Sequence, residues 1–500
     1  MAEFFRSMKV LAEDPVAGAP RVLMQTTAMD LVQQLNMIYD GLIDLQTNEN
    51  RAVETKIGDI NRLAQEIVEL NKAIYGFEIT GLIANDLRDK RNLFIDELAK
   101  YIDIEYEEYP DKFGHSMFKL SISGYDLLDH DRRNELAIGW MDNPLEGGER
   151  KAVPYWVHTM KQAGVIEPNA SDFLSADDYK TAMDAFQAQV TALLNVDIVA
   201  DSKRFMLDMN RVSGGMVKAH VDMRDGTGAG VDSTKRGIPY YIEMMNNLAR
   251  ALVYEINSQH VKGWSDNPLG SRTGILFFDD GVDPADPPPL WQPVPDPADP
   301  LGNLGHMVTI GSVTFFVSNA DGSDPLFDLN DMSTWEITGT EYSLTEVQLR
   351  NITAKNLGLS QDIMDSPYNI AASSTPIGRP GDPPLLQRGN NENMNAIYDL
   401  FRKTGITMLG QDIGSFDDYG TVIRFDVGNT KHTAMQAAET NRLLSLAANN
   451  QRTAIAGVSL DEEMVGLVKY QHAYNGAARV ITAMDDALDR LINGTGRVGL

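Results

Sequence analysis

The residue types that usually carry catalysis occur in this 500-residue chain, but they are not spaced for it. Eight histidines are scattered without an H-E-x-x-H motif or another metal-ligand spacing. The chain has no cysteine, which excludes disulfides, thiol nucleophiles and cysteine-ligated metals. It also lacks the G-x-S-x-G, Walker and G-x-G-x-x-G motifs in a suitable context. We therefore predict no catalytic residue, no metal site and no cofactor, and we expect that the protein is not an enzyme.

Two short segments look like parts of ligand-binding loops. Residues 226–230 (GTGAG) are glycine-rich, but no apolar strand leads into them, which favours an ordinary loop over a phosphate site. Residues 319–324 (NADGSD) are rich in side-chain oxygens, as part of a calcium loop would be, but the terminal bidentate Glu is missing. A turn between strands is the better interpretation of this second segment.

The acidic net charge excludes two classes of binding partner. With 71 acidic and 43 basic residues, the formal net charge is −28 and the pI is near 4.6. Nucleic-acid binding and docking on an anionic membrane both need basic surfaces, so we expect neither partner. No run of apolar residues is long enough to span a bilayer, and residues 1–15 lack the apolar core of a secretory signal peptide.

The elements that must position any functional residue begin with long helices. Residues 21–104 show helical patterns with few interruptions, and a third helix is predicted at about residues 83–101. The sharpest pattern is a core helix seam in which apolar residues follow steps of three and four. This seam consists of Val53, Ile57, Ile60, Ala64, Ile67 and Ile74.

Beyond these helices the pattern is mixed. Strands are predicted at residues 117–123, 307–317 and 334–340, and helices at residues 177–194, 238–260, 393–404 and about 430–493. Eight of the 22 prolines fall in residues 283–300, which excludes a helix or a central strand there and indicates a stiff extended linker.

The C-terminus carries the most informative pattern. From Leu460 to Ile492, apolar residues recur in alternating steps of four and three along a helix about 50 Å long, and Ser459 can cap its start. We call this set the terminal stripe and predict that it packs against another helix. The terminal stripe consists of Leu460, Met464, Leu467, Tyr474, Ala478, Ile481, Leu488 and Ile492. Packing within an ordinary bundle and pairing with another long helix fit the pattern equally well.

Several segments, in order along the chain, resemble the bacterial flagellar axial proteins. The C-terminal run 457–492 carries the signature of that whole class, and the others are similar to the hook-filament junction proteins, the hook-associated protein 1 (FlgK) family. These other segments are residues 58–74, 85–104, 214–225, 255–264, 274–278, 352–360 and 368–374.

The helical patterns at both sequence ends, with mixed stretches between them, predict an α+β fold, and the resemblance agrees with it. We expect an elongated multi-domain chain whose long-helix core is built from both sequence ends with mixed or β-rich inserted domains. We predict the following division: 1–104 first part of the helical core, 105–213 mixed insertion, 214–275 helical core segment, 276–344 β-rich insertion after the linker at 283–300, 345–456 return part of the core, and 457–500 C-terminal axial helix.

The resemblance also implies a structural function. The chain would polymerise through its terminal helix and join hook to filament, outside the cell, after export through the flagellar secretion channel. The implied partners are further copies of itself, the hook protein, the second junction protein and a cytoplasmic export chaperone that binds the C-terminal helix. Because family members normally begin with a further helical region, we also expect that the sequence lacks that N-terminal part.

Two alternatives stay open. The chain could be another flagellar axial protein, although residues 85–104 and 214–278 speak against it. An insertion on the axial scaffold could also bind glycans or carry an enzyme activity. In that case Trp140, Tyr155 and Trp156 are the candidate exposed aromatic side chains.

Overall fold

The structure, a computed structural model, describes residues 1–199, 204–229, 235–268, 270–283, 290–295, 304–317, 335, 337–377, 389–457 and 459–494. The chain divides into two compact units, Met1–Gly420 and Thr421–Leu500. The oxygen-rich segment 319–324 lies outside the described residues. Among the described residues, no helix is both long and apolar enough to cross a bilayer.

Long helices open the first unit. They are α1 (Ala2–Glu13), α2 (Gly18–Glu78) and α3 (Asn85–Tyr101). The two helices expected over residues 21–74 are therefore one helix of 61 residues, about 90 Å long at 1.5 Å per residue. Nothing in the sequence stops it, because no proline lies within residues 21–78 and the polar side chains of Gln46 and Asn50 are buried with partners.

A four-stranded antiparallel sheet follows α3, where the sequence predicted one strand. Its strands are β1 (Glu105–Pro110), β2 (Ser116–Ile122), β3 (Tyr125–Asp129) and β4 (Arg132–Arg133), in the order β1-β2-β3-β4. The sheet packs against α2 and α3 in one core that contains Ile60, Leu98, Phe118 and Leu128. Residues from 1–104 and from 105–213 thus share a hydrophobic core.

A smaller layer completes the region up to residue 213. The hairpin of β5 (Leu136–Met141) and β6 (Lys151–Trp156) leads to α4 (Val157–Gln162) and α5 (Ala176–Val199). A second core forms between the hairpin and α5, with Tyr155 and Phe186 among its buried side chains. Tyr155 and Trp156 are buried and Trp140 is half-buried, so the first two do not form the exposed aromatic surface considered for glycan binding.

The chain then returns to helices, α6 (Met216–Asp225) and α7 (Ile238–His260). A second antiparallel sheet follows, in the order β10-β9-β8-β7, from β7 (Leu290–Pro295), β8 (Leu304–Ile310), β9 (Val313–Val317) and β10 (Ile337–Tyr342). The interpretation of residues 283–300 as a linker throughout was wrong for residues 290–295. Among the described residues these form an edge strand, a sheet position that tolerates prolines because an edge residue needs no N–H for a further neighbour.

The return part of the first unit contains short elements. These are α8 (Glu346–Asn351), α9 (Gln361–Asp365), α10 (Glu392–Asp399) and the hairpin of β11 (Ile406–Met408) and β12 (Gln411–Gly414). The hairpin had no sequence prediction. With two four-stranded sheets beside long helices, the predicted α+β class is confirmed.

The second unit is helical in its described part. Helix α11 (Phe416–Ala456) begins within the first unit, about 14 residues before the predicted start, and α12 (Leu460–Asn493) follows a short break. None of the described residues from 421 to 494 is buried.

Candidate functional site

The terminal stripe lies on a helix whose surface is open. Helix α12 is capped by Ser459, whose Oγ accepts a hydrogen bond from the Glu462 backbone N–H at 3.4 Å. Asp461, Glu462 and Glu463 occupy its first turn and Arg490 its last, so the side-chain charges complement the helix dipole at both ends. The sequence therefore specifies this helix locally, without tertiary contacts.

The eight predicted residues of the terminal stripe are all exposed. The large apolar side chains among them range from 53% exposed at Leu488 to 79% at Leu460. Exposed apolar surface of this extent marks a binding surface on a soluble protein, and its narrow four-three spacing is that of a helix that packs against another helix. The opposite face of α12 carries small and charged residues such as Lys469, Ala483 and Ala487, together with the exposed Val465 and Val480.

The core helix seam of the first unit has the opposite environment. All six of its residues are buried in α2, and four of them, Ile57, Ile60, Ala64 and Ile67, lie in the core shared with the first sheet. The two predicted apolar patterns thus differ in what covers them: the seam is covered by the protein's own sheet, and the terminal stripe is open.

Buried polar side chains hold the first unit together where its backbone is irregular. Asn257 of α7 accepts hydrogen bonds from the backbone N–H groups of Phe277 and Phe278 at 2.9 and 3.0 Å, and it donates to the Phe278 carbonyl at 3.0 Å. One turn later, His260 accepts from the Ala371 N–H at 2.9 Å and contacts the Ile275 carbonyl at 2.7 Å. We call such side chains clamps, because each satisfies backbone groups that no ladder pairs.

Further clamps tie the long helix to the return part. Arg21 of α2 donates to the carbonyls of Ile370 and Pro15, each at 2.8 Å. Asn36 of the same helix donates to the carbonyls of Ala354 and Lys355 at 2.6 and 3.0 Å. These contacts fix segments that are separated by more than 300 residues along the chain.

A similar arrangement joins α6 to α2 and β6. Arg224 donates to Asn50 Oδ1 at 2.9 Å and to the Ala152 carbonyl at 2.6 Å, and its own carbonyl accepts from Gln46 at 3.0 Å. At the start of α6, Gly215 has φ 99°, and a Cβ there would lie 2.6 Å from the Ile102 Cα. Only glycine fits this position without displacing the backbone at the end of α3.

The clamps explain the segments that carry the family resemblance. Residues 255–264, 274–278 and 368–374 are far apart in sequence, and the contacts of Asn257 and His260 bring them together. Asn257 and His260 were not among the site residues predicted from the sequence. The available signal was polar residues such as Asn246, Arg250 and Asn257 on the strongly apolar helix α7, all of which are buried.

The electrostatics of the clamps favour a neutral histidine and a buried cation. Burial lowers the pKa of His260 to about 4, and the nearby Arg21 charge lowers it further, while the Ile275 hydrogen bond opposes the shift. Burial also lowers the pKa of Arg21, and Asp266 and Tyr368 oppose that shift. Among the described residues, no group of three His, Asp or Glu side chains is placed to bind a metal ion.

Comparison with known proteins gives matches in both parts of the chain. The model of the flagellar hook-associated protein FlgK helical domain matches residues 1–171, and that of the flagellar basal body rod FlgEFG protein C-terminal region matches residues 450–494. Flagellar hook-associated protein 1 of Bacillus subtilis is 23% identical over 99% of this chain and 75% of the relative. The protein of the same name from Salmonella typhimurium is 24% identical over 99% of this chain and 80% of the relative.

A solved structure supports the fold. The flagellar hook junction protein FlgK from Burkholderia pseudomallei matches with a TM-score of 0.50 at 13% identity, over 91% of this chain and 93% of that one. The two family models span residues 58–74, 85–104 and 457–492, three of the segments that resemble the flagellar axial proteins. Over almost its whole length, the chain is therefore similar to flagellar hook-associated protein 1, FlgK.

Proposed function

We propose that the protein is a structural subunit of the bacterial flagellum that joins the hook to the filament. The observation that carries this proposal is the terminal stripe: a chain of this family bears a 34-residue helix on which none of the described residues is buried. An ordinary soluble helix covers its apolar face within its own fold. A subunit made for assembly leaves that face to neighbouring subunits.

Polymerisation would bury the terminal stripe against helices of adjacent copies. Full burial of one large apolar side chain contributes roughly 1.5–3 kcal/mol, so six such residues give on the order of 10 kcal/mol before the costs of association. Repeated in every subunit, this is enough to hold a layer together. The eight stripe residues named above therefore remain our proposed polymerisation residues, and the seam of α2 our proposed intramolecular core.

The partners follow from the family and the exposed stripe. We propose contacts with further copies, with the hook protein on one side and with the second junction protein on the other. Before assembly, the exposed apolar helix needs protection from aggregation, which a cytoplasmic export chaperone bound to α12 would supply. The division of the chain into six parts, with 457–500 as the axial helix, also remains our proposal.

The proposed site of action is outside the cell, reached through the flagellar secretion channel. Passage through a narrow channel requires an unfolded chain, and the absence of cysteine removes thiols that would oxidise or cross-link there. The role is mechanical, so we propose no catalytic activity. The relatives, named as hook-associated proteins, support this view.

The proposal is tested by placing a charge on the terminal stripe and, as a control, on the opposite face. Ile481→Glu puts a carboxylate on the stripe, whereas Ala483→Glu puts the same charge on the other side of α12 two residues later. In cells that lack their own copy, Ile481→Glu should abolish filament attachment, and Ala483→Glu should preserve it. Electron microscopy of hook tips and swarming on soft agar provide the readouts.

Deletion of residues 457–500 gives the complete version of this test. The deleted protein should retain the circular dichroism and thermal transition of the first unit but fail to attach filaments. Normal attachment by this deletion, or equal loss with both glutamate variants, would contradict the proposed role of the terminal stripe.

A further inference from the structure

His260 occupies the point where three segments of the first unit meet. It is the last residue of α7, is completely buried, and packs edge-on against Phe277 with ring centroids 5.4 Å apart. Because the Ala371 N–H donates to Nε2, that nitrogen must be unprotonated, and the proton lies on Nδ1, which donates to the Ile275 carbonyl. Both ring nitrogens are therefore used, and only the neutral ring fits.

The segment bound by His260 depends on side chains for its order. Residues 370–373 are buried and are held by Arg21 at the Ile370 carbonyl, by His260 at the Ala371 N–H and by Asn393, which donates to the Ala371 carbonyl at 2.7 Å. The backbone adds a bridge between Trp264 and Ser373 and a hydrogen bond from the Met394 N–H to the Ala372 carbonyl at 3.1 Å. Loss of the contact at Nε2 leaves a buried N–H against a charged ring.

The charged surroundings disfavour a second positive charge here. Arg21, from α2, is the charged group that acts on His260. Burial lowers the pKa of Arg21 and Asp266 opposes that shift, and a guanidinium stays protonated at the pH values considered below. The groups packed against the ring from the other elements, Phe277 and Ala371, carry no charge. A protonated His260 would thus face a guanidinium and a backbone donor in a dry site.

We propose that His260 is a pH-sensitive joint, whose protonation at Nε2 breaks the hydrogen bond from Ala371 and releases residues 370–373 from the end of α7. The opened joint separates the return part of the first unit from the helices that it connects, while the sheet of β1 to β4, with its separate core, stays closed. The inference concerns the folding of the first unit and does not depend on the role of α12 in assembly.

The sign of the pH effect follows from the direction of the pKa shift. The folded-state pKa of His260, about 4, lies below the ordinary value of 6.5. The stabilisation from the neutral ring is thus complete above pH 6.5 and is lost as the pH falls towards 4. Between pH 7.5 and pH 5 the folding equilibrium should weaken about 30-fold through this group alone.

The experiment compares the full-length protein with His260→Gln, whose amide can donate to Ile275 and accept from Ala371 but does not titrate. His472→Gln, on the exposed face of α12, is the matched control. Urea unfolding gives the folding equilibrium constant of the first unit in each protein. The ratio of this constant in the wild type to that in His260→Gln should fall about 30-fold between pH 7.5 and pH 5. The control should follow the wild type at both pH values. The proposal would be overturned if the ratio of the two folding equilibrium constants changed by less than threefold between these pH values.

Hydrogen exchange of the wild type decides the question even where His260→Gln fails to fold. After correction for intrinsic rates, amides of residues 367–376 should lose protection between pH 7.5 and pH 5, and those of residues 116–129 in the first sheet should retain it. Equal loss in both segments, or no loss in residues 367–376, would contradict a local joint at His260.

Discussion

The two units of the chain place the apolar residues of their helices in opposite environments. In the first unit, α2 buries its seam under a sheet, and polar clamps such as Asn257 and Arg21 fix irregular backbone elsewhere in the unit. In the second unit, none of the described residues of α12 is buried, although its apolar repeat is as regular as that of α2. Helical periodicity therefore identifies a helix whose apolar face must pack against another surface. It does not show whether that surface belongs to the same chain or to another subunit.

This difference has a thermodynamic meaning. The first unit gains its stability from contacts between segments far apart in sequence, so it should fold by itself. The described residues of the second unit show local contributions, among them helix propensity, the Ser459 cap and the charges of the first and last turns of α12. Its helices become strongly stable only when another surface covers them.

Amide exchange in the unassembled protein gives the largest expected contrast. Helices without tertiary cover open at little cost, whereas core amides exchange only through opening that costs several kcal/mol. Amides of Met464–Ile481 should therefore exchange at least about a thousandfold faster than those of Ile57–Val68, as mass spectrometry of the free protein can measure. Comparable protection in the two helices would show that the second unit has a cover of its own.

The second largest contrast is expected in the free energy of unfolding, when an asparagine is replaced by alanine in each unit. Asn257→Ala leaves two buried N–H groups and one carbonyl without partners and should destabilise the first unit by about 3 kcal/mol. Asn475→Ala, on exposed α12, should cost nothing and raise the helix propensity slightly. Urea unfolding followed by tryptophan fluorescence measures both. If Asn257→Ala lowered the free energy of unfolding by less than about 1 kcal/mol, Asn257 would not act as a clamp.

The smallest effect is expected from the N-cap of α12. It tests whether this helix is stabilised by local interactions alone. Ser459→Ala removes the acceptor for the Glu462 N–H and should cost about 1 kcal/mol, which speeds amide exchange in the first turn of α12 about fivefold. Ser459→Asp should restore the wild-type rate, because aspartate also caps. The melting temperature of the first unit should not move in either variant; a shift there would mean that the cap matters beyond its own helix.

The sequence predicted what depends on local patterns. The α+β class, the positions of α3, α5 and α7 and the strand at residues 116–122 follow from periodicity and turn residues, and the structure has them. The seam and the terminal stripe were also found as helical apolar patterns. Whether each one faces the protein's own core or another subunit depends on the rest of the fold.

What the sequence did not predict depends on distant partners. β1 is exposed along most of its length and has no apolar alternation, and β7 contains prolines, so neither has a local strand signal. The clamps were missed for the same reason. His260 would have the same local sequence whether it lay on the surface or, as here, accepted a hydrogen bond from a backbone N–H 111 residues away. The same holds for Asn257, whose backbone partners are 20 and 21 residues away.

The long sequence separations of the clamps set the order of events when the chain folds. Arg21 contacts a carbonyl 349 residues further on, and Asn391 donates to the Ala12 carbonyl, 379 residues before it. Contacts of this range make folding slow, because a large loop must close before they form. The N-terminal helices can therefore not reach their final arrangement until the chain as far as residue 391 is available. An unfolded polypeptide that emerges from a narrow passage would complete its first unit only after both residues 12–21 and residues 370–391 have emerged, so this unit would fold late in the passage.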